Sequence, residues 1–468
     1  MIKVLIVGAG IAGKELLIQL DKNLKGVFEI AGFIDDDSKK LGKRIKSIRV
    51  LGVINDLEKI IRKENIKEVL IALPSAEGET IKRIIEACSK QKVVFKIVPR
   101  ILEIVLGKVK LQQVREVRIE DLLGRPIVRS SQKKFLGFFK NKKIIVTGAA
   151  GSIGSELCRQ LIQFNLKKLI CLDSWENGLF ELDSQLKEFP GENCEIIVGN
   201  IQDVGKVQSV FAKFKPDFVF HAAAYKHVPM MQSNPDEAIK NNVFGTRNLS
   251  EAALKSKAKK FVNISTDKAA DPSSIMGTTK LLAEKIVQNA NSKNSTKFIS
   301  VRFGNVLDSQ GSVVPIFRKQ ILNGGPITIT DPKMSRYFMT IPEAVQLVLE
   351  ASILGKGEEI FVLDMGQPVR IEDLARLMIK LSGFLPDEEI KIKYIGKRPG
   401  EKLSEILSTD REYLEKTSNE KIFAIKYDKT FDNNHIHMII NQLEKMVYSK
   451  NSSNLVNFLK SLAPNLQN

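Results

Sequence analysis

The sequence contains no apolar run long enough to cross a bilayer and no low-complexity tract, and it has only four cysteines and four histidines. Because a membrane span needs about 20 consecutive apolar residues, we expect a soluble protein. The four cysteines, Cys88, Cys158, Cys171 and Cys194, are far apart in the sequence. Neither they nor the four histidines show the paired spacing of a zinc site. We therefore expect reduced, buried thiols and no metal.

The sequence also shows no export signal, because the strand-like run Ile2–Val7 follows Met1 directly, and a cytoplasmic protein is expected. Helix-turn-helix, zinc-finger and aromatic RNA-binding signatures are missing, which argues against nucleic acid as a partner. Residues 1–140 hold 29 Lys and Arg against 17 Asp and Glu, so they carry +12 of the net charge of +18. Solvated lysine faces explain most such excesses. Anionic ligands and peripheral contact with an acidic membrane surface are the alternatives.

The chain twice runs from a strand through a glycine-rich turn into a helix, which is the pattern of a dinucleotide-binding unit. In the first copy Gly8, Gly10 and Gly13 match G-x-G-x-x-G. Asp35 ends the following strand, where an acid can bind a ribose hydroxyl. We predict a small parallel α/β domain over residues 1–125. It is either a second nucleotide site or a fold that has lost its ligand.

The second glycine turn is one residue longer than the first. Gly148, Gly151 and Gly154 have the spacing G-x-x-G-x-x-G, which still leaves backbone N–H groups facing a pyrophosphate. Asp173 ends the next strand at the ribose-binding position, with no Arg or Lys nearby to hold a 2′-phosphate. The sequence therefore favours NAD over NADP.

Further cofactor contacts are predicted from the turn and from the next two strands. They are Ser152, Ile153, Ile201, Asp203, Ala222, Ala223 and Ala224. Asp203 can meet the adenine amino group. The three alanines are small enough for the sheet edge to approach the cofactor closely.

The residues that can carry chemistry follow an apolar strand. Thr266, Asp267 and Lys268 come directly after it, and the carboxyl end of a parallel strand faces the ligand crevice. An acid and a base side by side suit an elimination. Met276 and Lys280 lie one helical turn apart, so Lys280 can reach the ribose of a nicotinamide. Methionine cannot exchange a proton, so the proton of an oxidised hydroxyl must leave through Thr266 or through a water relayed to Lys280.

Several motifs follow one another in residues 140 to 410. They occupy 147–154, 221–229, 241–246, 265–269, 302–306, 330–339 and 398–403. Through them the sequence resembles the extended short-chain dehydrogenases that modify nucleotide sugars, specifically the nucleoside-diphosphate-sugar 4,6-dehydratases of bacterial polysaccharide biosynthesis. Met276, in place of the catalytic tyrosine, resembles the branch that acts on UDP-N-acetylglucosamine with retention at C5. Long members of that branch carry transmembrane helices ahead of the first domain, and this sequence has none.

The resemblance implies an α/β fold with two tandem Rossmann-like, doubly wound parallel sheets, the second with a smaller C-terminal substrate-binding region. The predicted bounds are 1–125 for the first domain, 126–140 for a linker and 141–468 for the catalytic domain. The resemblance also implies tightly bound, recycled NAD, a UDP-sugar substrate and a homo-oligomer. The substrate-binding candidates are Lys226, His227, Asn305, Arg336, Arg398 and Glu401.

The implied reaction has three linked steps. The sugar is oxidised at C4, water is lost across C5 and C6, and the hydride returns to C6. Lys268 is expected to remove the C5 proton, which requires its pKa to be lowered by burial or neighbours. Asp267 is expected to protonate the leaving hydroxyl and must therefore be in its neutral form. A UDP-sugar 4-epimerase on the same scaffold and a non-catalytic nucleotide-sugar sensor are the alternatives.

Overall fold

The structure is a computed structural model of the chain. It describes residues 1–24, 26–76, 78–88, 91–98, 114–122, 132–189, 193–291, 296–409, 412–427, 433–449, 452–463 and 465–466. The chain divides into two compact units. Unit 1 comprises Met1–Ile127, Val313–Pro332 and Ile371–Ile395, and unit 2 comprises Val128–Ser312, Lys333–Arg370 and Gly396–Asn468. The domain bounds given above divide the chain by function and stay a prediction.

Unit 1 is built on a seven-stranded sheet that is parallel except at its two edges. In sheet order the strands are Arg44–Ile45, Ile48–Gly52, Phe28–Ile34, Ile2–Val7, Glu68–Ile71, Val94–Ile97 and Arg115–Glu116. The central strand Ile2–Val7 is apolar and buried from Val4 to Val7, as expected for a parallel sheet that helices cover on both faces. The helices are Ile11–Asn23, Leu57–Glu64, Gly78–Ala87, Ile119–Leu122, Val313–Leu322 and Ile371–Leu381. A separate parallel pair joins Ile327–Ile329 to Ile392–Tyr394.

Unit 2 is built on a nine-stranded sheet whose first seven strands are parallel. In sheet order the strands are Cys194–Val198, Lys168–Asp173, Lys143–Thr147, Phe218–His221, Lys260–Ile264, Lys297–Arg302, Ile360–Leu363, Ile422–Tyr427 and Glu412–Lys416, of which the last two pair antiparallel. Two small pairs join Asn305–Val306 to Phe338–Met339 and Ser335–Arg336 to Val369–Arg370. The predicted fold class, a doubly wound parallel sheet in each half of the chain, is confirmed.

Helices cover both faces of the sheet in unit 2. They are Gln132–Phe139, Ser152–Leu161, Glu176–Leu186, Val204–Phe214, Val228–Ser233, Pro235–Ile239, Gly245–Lys255, Ile275–Ala290, Ile341–Leu354, Asn433–Tyr448 and Ser452–Leu462, with a π-helical turn at Lys240–Phe244. The long helix Ile275–Ala290 is buried over most of its length, because helices from both the middle and the end of the chain pack on it.

The helix Gln132–Phe139 lies in the segment that the sequence assigned to a linker. Its Phe139 ring stacks on Phe164 with ring centroids 5.9 Å apart and meets the edge of Phe218 at 5.8 Å. Apolar residues at helical spacing explain why this part is packed instead of extended. Residues 126–131 of the predicted linker lie outside the described residues.

Three of the cysteines are neighbours in the fold although they are distant in the sequence. The Sγ of Cys171 lies 3.4 Å from that of Cys158 and 3.7 Å from that of Cys194. All are free thiols, and burial raises the pKa of Cys88 to about 12. Among the described residues no group of His, Cys, Asp and Glu side chains is arranged to hold a metal ion. No helix among the residues that the structure describes is long and apolar enough to span a membrane.

Candidate active site

The strand order of unit 2 reverses between two neighbouring central strands. From the strand Lys143–Thr147 the next strands in the chain are added on one side, up to the edge strand Cys194–Val198. Phe218–His221 then pairs on the other side of Lys143–Thr147, and the later strands continue in that direction. The carboxyl ends of parallel strands at such a switch point form a crevice. The strand Lys260–Ile264 ends on the same side, so the sheet places the glycine turn and the segment from Thr266 around one crevice.

The glycine turn is shaped to approach a ligand closely. Gly148 has φ +70°, and a Cβ there would lie 2.5 Å from the backbone nitrogen of Ala223. A Cβ on Gly154 would lie 1.9 Å from the carbonyl oxygen of Gly148. The helix Ser152–Leu161 begins at Gly151 with no side-chain cap and no acid in its first turn. Its first N–H groups are therefore available to an anion, which fits the pyrophosphate of a dinucleotide.

We predict that Gly148→Ala lowers both stability and dinucleotide binding, because the new Cβ meets backbone atoms and the left-handed φ is costly for alanine. The expected loss is at least ~1–2 kcal/mol in the free energy of unfolding. Denaturant unfolding and dinucleotide titration measure the two effects. Gly137→Ala is the matched control, since Gly137 lies in a helix with open space at its Cβ and should gain a little stability. Equal stability of the two variants would contradict this account of the turn.

The two predicted acids of the cofactor site have backbone partners. The carboxylate of Asp173 accepts hydrogen bonds from the N–H of Ala150 at 3.0 Å and of Trp175 at 2.9 Å. Asp203 caps the helix Val204–Phe214 by accepting from the N–H of Lys206 at 2.9 Å. A carboxylate has about four acceptor positions, so each can also bind a ribose or adenine donor. Their roles in cofactor binding stay predictions.

The glycine turn of unit 1 repeats this geometry, but its acid also pairs with a lysine. Gly8 has φ +106°, and a Cβ on Gly13 would lie 1.9 Å from the carbonyl oxygen of Gly8. Asp35 accepts from the N–H of Ala9 at 2.8 Å and pairs with the Nζ of Lys40 at 3.0 Å. Burial acts to raise the pKa of Asp35. The hydrogen bonds from the N–H of Asp37, from Lys40 and from the N–H of Ala9 outweigh this effect, and the pKa is lowered. A second nucleotide site here stays a prediction.

Thr266, Asp267 and Lys268 form one hydrogen-bonded group. The hydroxyl of Thr266 donates to Oδ1 of Asp267 at 2.9 Å, and the Nζ of Lys268 donates to the same oxygen at 3.0 Å. Asp267 is 1% exposed, and its Oδ2 is buried without a hydrogen-bond partner in the described part of the chain. Gly304 lies beside it, with its Cβ position 3.1 Å from Oδ2. One oxygen of this carboxylate is therefore buried and unpaired among the described residues.

The protonation of Lys268 differs from the expectation. Burial lowers the pKa of this amine, but the carboxylates of Asp267 and Glu405 raise it, and the net pKa is raised. The lowered pKa that Lys268 requires as a base is therefore not present in the protein alone, because the carboxylates around the amine outweigh its burial. In the protein alone, Lys268 is held as an ammonium ion.

Glu405 is a buried acid that the sequence analysis missed. Its Oε1 lies 3.5 Å from the Nζ of Lys268 and 3.9 Å from the Nε of Arg336, and the residue is 7% exposed. Glu401 is the acid that the sequence predicts in the same segment. The carboxylate of Glu401 accepts from the N–H of Arg398 at 3.2 Å within the local turn. The signal that was available is a second acid, four residues further along the sequence.

The predicted phosphate ligand Arg336 has its guanidinium bound to the backbone. Nη2 donates to the carbonyl oxygen of Lys402 at 2.8 Å and Nη1 to that of Leu403 at 3.0 Å. These bonds hold the segment that carries Glu405 and leave fewer donors for a diphosphate. Arg398 is exposed, and Asn305 pairs through its backbone with the neighbouring strand. Substrate binding by these three residues stays a prediction.

Lys226 and His227 contact a loop that reaches the glycine turn. The Nζ of Lys226 donates to the carbonyl oxygen of Gln310 at 2.8 Å, and the N–H of Gln310 donates to Oγ of Ser152 at 3.1 Å. The ring of His227 packs against Gly311, where a Cβ would lie 2.7 Å from the imidazole. The pKa of Lys226 is lowered by burial. These residues hold the loop, and their contact with a sugar stays a prediction.

Lys280 and Met276 occupy the first turns of the helix Ile275–Ala290. The Nζ of Lys280 donates to the carbonyl oxygen of Ile264 at 2.7 Å, and burial lowers the pKa of Lys280 to about 8. Met276 is 3% exposed and packs in an apolar cluster with Met231. At position 276 the helix therefore presents a packed side chain that cannot exchange a proton.

A buried histidine supports the loop after the strand Phe218–His221. His221 bridges the hydroxyls of Thr147 and Thr246, each at 2.9 Å. Burial, and then the charge of Lys280, lower the pKa of His221 to about 3, so the ring stays neutral. This histidine joins the strand ends of the crevice as a neutral ring.

The strand order, the glycine turn and the Thr-Asp-Lys group define a short-chain dehydrogenase type of nucleotide-binding enzyme. More particularly, the chain belongs to the polysaccharide biosynthesis protein family, whose model matches residues 144–427. A model described as a CoA-binding domain matches residues 2–99.

Individual relatives agree with this family. The capsular polysaccharide biosynthesis protein CapD of Staphylococcus aureus is 42% identical over 428 residues, covering 91% of this chain and 71% of that protein. A UDP-N-acetylglucosamine 4,6-dehydratase (inverting) of Campylobacter jejuni is 35% identical, covering 59% of this chain and 80% of that protein. A UDP-glucose 4-epimerase of Rickettsia canadensis is 36% identical, covering 58% and 78%. The chain thus groups with nucleotide-sugar-modifying enzymes.

A solved structure supports the fold. The dTDP-glucose 4,6-dehydratase DesIV of Streptomyces venezuelae, as a double mutant, covers 68% of this chain and 99% of its own, with a TM-score of 0.52. At 19% sequence identity this similarity concerns the fold alone.

Proposed function

We propose that this protein is a nucleotide-sugar 4,6-dehydratase that converts UDP-N-acetylglucosamine to UDP-2-acetamido-2,6-dideoxy-4-hexulose for polysaccharide or glycan biosynthesis. The observation that carries the proposal is the pair of Asp267 and Lys268, joined at 3.0 Å at the carboxyl end of a central strand. The Oδ2 of Asp267 is buried without a hydrogen-bond partner among the described residues, which favours the neutral acid that the elimination needs. An elimination needs one group to take a proton and another to give one.

The residues of the glycine turn fit NAD. Gly148, Gly151 and Gly154 would hold its pyrophosphate, and Asp173 would bind its adenosine ribose. NADP is less suited, because its 2′-phosphate would lie beside the carboxylate of Asp173. When bound, NAD would accept a hydride from C4 of the sugar and return it to C6, so that the cofactor is not consumed. Lys280 would bind the nicotinamide ribose, and its charge would favour a developing oxyanion at C4.

The Asp267–Lys268 pair holds the same number of protons in two arrangements. The ion pair has a carboxylate and an ammonium ion, as the raised pKa of Lys268 indicates. Transfer of one proton across the 3.0 Å hydrogen bond gives a carboxylic acid and a free amine. The free amine can remove the C5 proton while Asp267 protonates the departing C6 hydroxyl. The ion pair re-forms in that step, and Lys268 then returns its proton to C5.

The proton balance indicates a role for Thr266. The proton that Asp267 gives to the leaving hydroxyl departs in the water, so Asp267 must regain one proton in each turnover. The C4 hydroxyl releases one proton in each turnover, before the elimination, to a pair that the previous turnover left as a carboxylate and a free amine. The ion pair of the protein alone must therefore lose one proton to solvent before its first turnover. The hydroxyl of Thr266 already donates to Oδ1 of Asp267 at 2.9 Å, and it can pass the C4 proton to that oxygen. This route needs no tyrosine at position 276.

A UDP-sugar 4-epimerase is the second candidate, because a named epimerase is as similar to this chain as the named dehydratase is. An epimerase exchanges hydride and a hydroxyl proton at C4 alone. It has no use for a buried Asp-Lys pair, and Met276 cannot serve as its proton carrier. A non-catalytic nucleotide-sugar sensor would not need that pair either.

We predict that the purified protein with NAD, given UDP-N-acetylglucosamine labelled with deuterium at C4, forms a 4-keto-6-deoxy product with the label at C6. Mass spectrometry and NMR measure the loss of water and the position of the label. A product of unchanged mass that retains the label at C4 would favour the epimerase, and binding without product would favour the sensor. Reaction in deuterated water, followed by NMR of the product, measures whether the configuration at C5 is retained or inverted. The resemblance favours retention at C5, whereas the Campylobacter relative is named as inverting.

A further inference from the structure

The ammonium group of Lys268 lies between two carboxylates that come from different parts of the chain. Asp267 contacts it from the adjoining residue at 3.0 Å, and Glu405 contacts it at 3.5 Å. Asp267 and Glu405 are both buried, with 1% and 7% of their surfaces exposed. Acids are rarely buried without a partner, and Glu405 has the amine of Lys268 and the guanidinium of Arg336 beside it.

The segment that carries Glu405 is fixed to the turn before the active-site helix. The Nζ of Lys402 pairs with Oδ2 of Asp271 at 2.5 Å, and the hydroxyl of Ser273 donates to the carbonyl oxygen of Gly400 at 3.1 Å. Gly400 has φ +79°, and a Cβ there would lie 2.9 Å from Ser274. Together with the carbonyl contacts of Arg336, these bonds hold Glu405 at a defined distance from the amine.

We infer that Glu405 is a positioning residue for Lys268, which orients the amine toward the sugar and stabilises the ammonium ion that forms when Lys268 accepts the C5 proton. The inference rests on the proposed function, because it assigns the base that the dehydration needs. Asp267 cannot do this alone, since it must change from acid to carboxylate in the same step. A second, permanent anion beside the amine makes Lys268 a stronger base.

The charged groups that face the amine define the expected pH behaviour. They are Asp267 on its own turn, Glu405 from the segment after Gly400, and Arg336 from the strand Ser335–Arg336. Removing the charge of Glu405 leaves Arg336 without its nearby carboxylate, and both changes favour the free amine. The pKa of Lys268 should then fall, by about one unit or more for a buried opposite charge at this distance.

The test compares Glu405→Gln with Glu405→Asp in the full chain. Glu405→Gln is expected to move the acid limb of the dehydration pH profile toward lower pH. Above that limb, where the amine is free in both proteins, the variant should be about 10- to 100-fold slower, because its amine is a weaker and less well-oriented base. Glu405→Asp keeps the charge and should leave the limb near its original position. Glu350→Gln is the matched control, because Glu350 is a buried acid paired with Lys134 away from the crevice.

A second measurement does not depend on turnover. NMR titration of lysine-labelled protein, with the Lys268 signal assigned by its loss in Lys268→Met, should show a lower pKa for that amine in Glu405→Gln. An unchanged Lys268 titration in Glu405→Gln, or an unchanged acid limb with a rate loss no larger than that of Glu350→Gln, would overturn the inference. If the unaltered protein makes no dehydrated product, the proposed function fails, and the titration still decides whether Glu405 controls the amine.

Discussion

Asp267→Asn is expected to reduce the dehydration of UDP-N-acetylglucosamine by about 10²- to 10⁴-fold, the range in which a positioned acid or base contributes. Asparagine has nearly the same shape but cannot deliver a proton to the departing hydroxyl. An amide at this position also cannot exchange a proton with Lys268 across the 3.0 Å contact. Lys268 therefore loses the nearest group that can accept a proton from its ammonium ion. Single-turnover conversion, followed by mass spectrometry of the sugar nucleotide, measures the loss.

The oxidation at C4 should also slow in this variant, because Thr266 passes the C4 proton to Asp267, but it should slow less than the elimination, which loses its acid. Deuterium lost from C4 of labelled substrate reports on that earlier step. Asp217→Asn provides the control, since Asp217 pairs with Lys259 at the opposite end of the sheet. A dehydration rate in Asp267→Asn equal to that of Asp217→Asn would remove Asp267 from the mechanism.

The parts of the site that lie close together in the sequence could be predicted from it. A glycine at 154 is required within one strand-turn-helix unit, where a Cβ would meet the carbonyl oxygen of Gly148. The spacing also marks Gly148, although a Cβ there would meet the backbone after the neighbouring strand Phe218–His221. Thr266, Asp267 and Lys268 follow a single apolar strand, so local pattern alone placed them at its carboxyl end. Parallel strands then put that end at the crevice.

The parts that depend on distant segments could not be predicted. Glu405 reaches Lys268 only because the segment after Gly400 folds back onto the turn at Asp271. The protonation of Lys268 follows from that contact, and no periodicity in the sequence reports it. Arg336 likewise has a side chain suited to phosphate, but the fold supplies backbone carbonyls first. Composition identifies what a side chain can bind, whereas the tertiary fold decides which partner it has.

Lys280→Met is the other substitution with a large expected effect, about 10²- to 10³-fold on the oxidation at C4, as for loss of a group that stabilises a developing oxyanion. The pH dependence separates its two candidate roles, since the pKa of Lys280 is lowered to about 8. If the ammonium ion stabilises the oxyanion, the oxidation slows as pH rises through about 8. If the free amine accepts the C4 proton through a water, the oxidation becomes faster over the same range.

We expect the oxidation to slow, because Thr266 already gives the C4 proton a direct route to Asp267. Unfolding measurements supply an independent check on the same group. The pKa of Lys280 is lowered from 10.5 to about 8, so between these values the folded state binds fewer protons than the unfolded chain. Stability should therefore rise with pH across this window, and Lys280→Met should remove that rise. A C4 oxidation that accelerates above pH 8 in the unaltered protein would instead assign the proton to Lys280 and leave Thr266 as a capping residue.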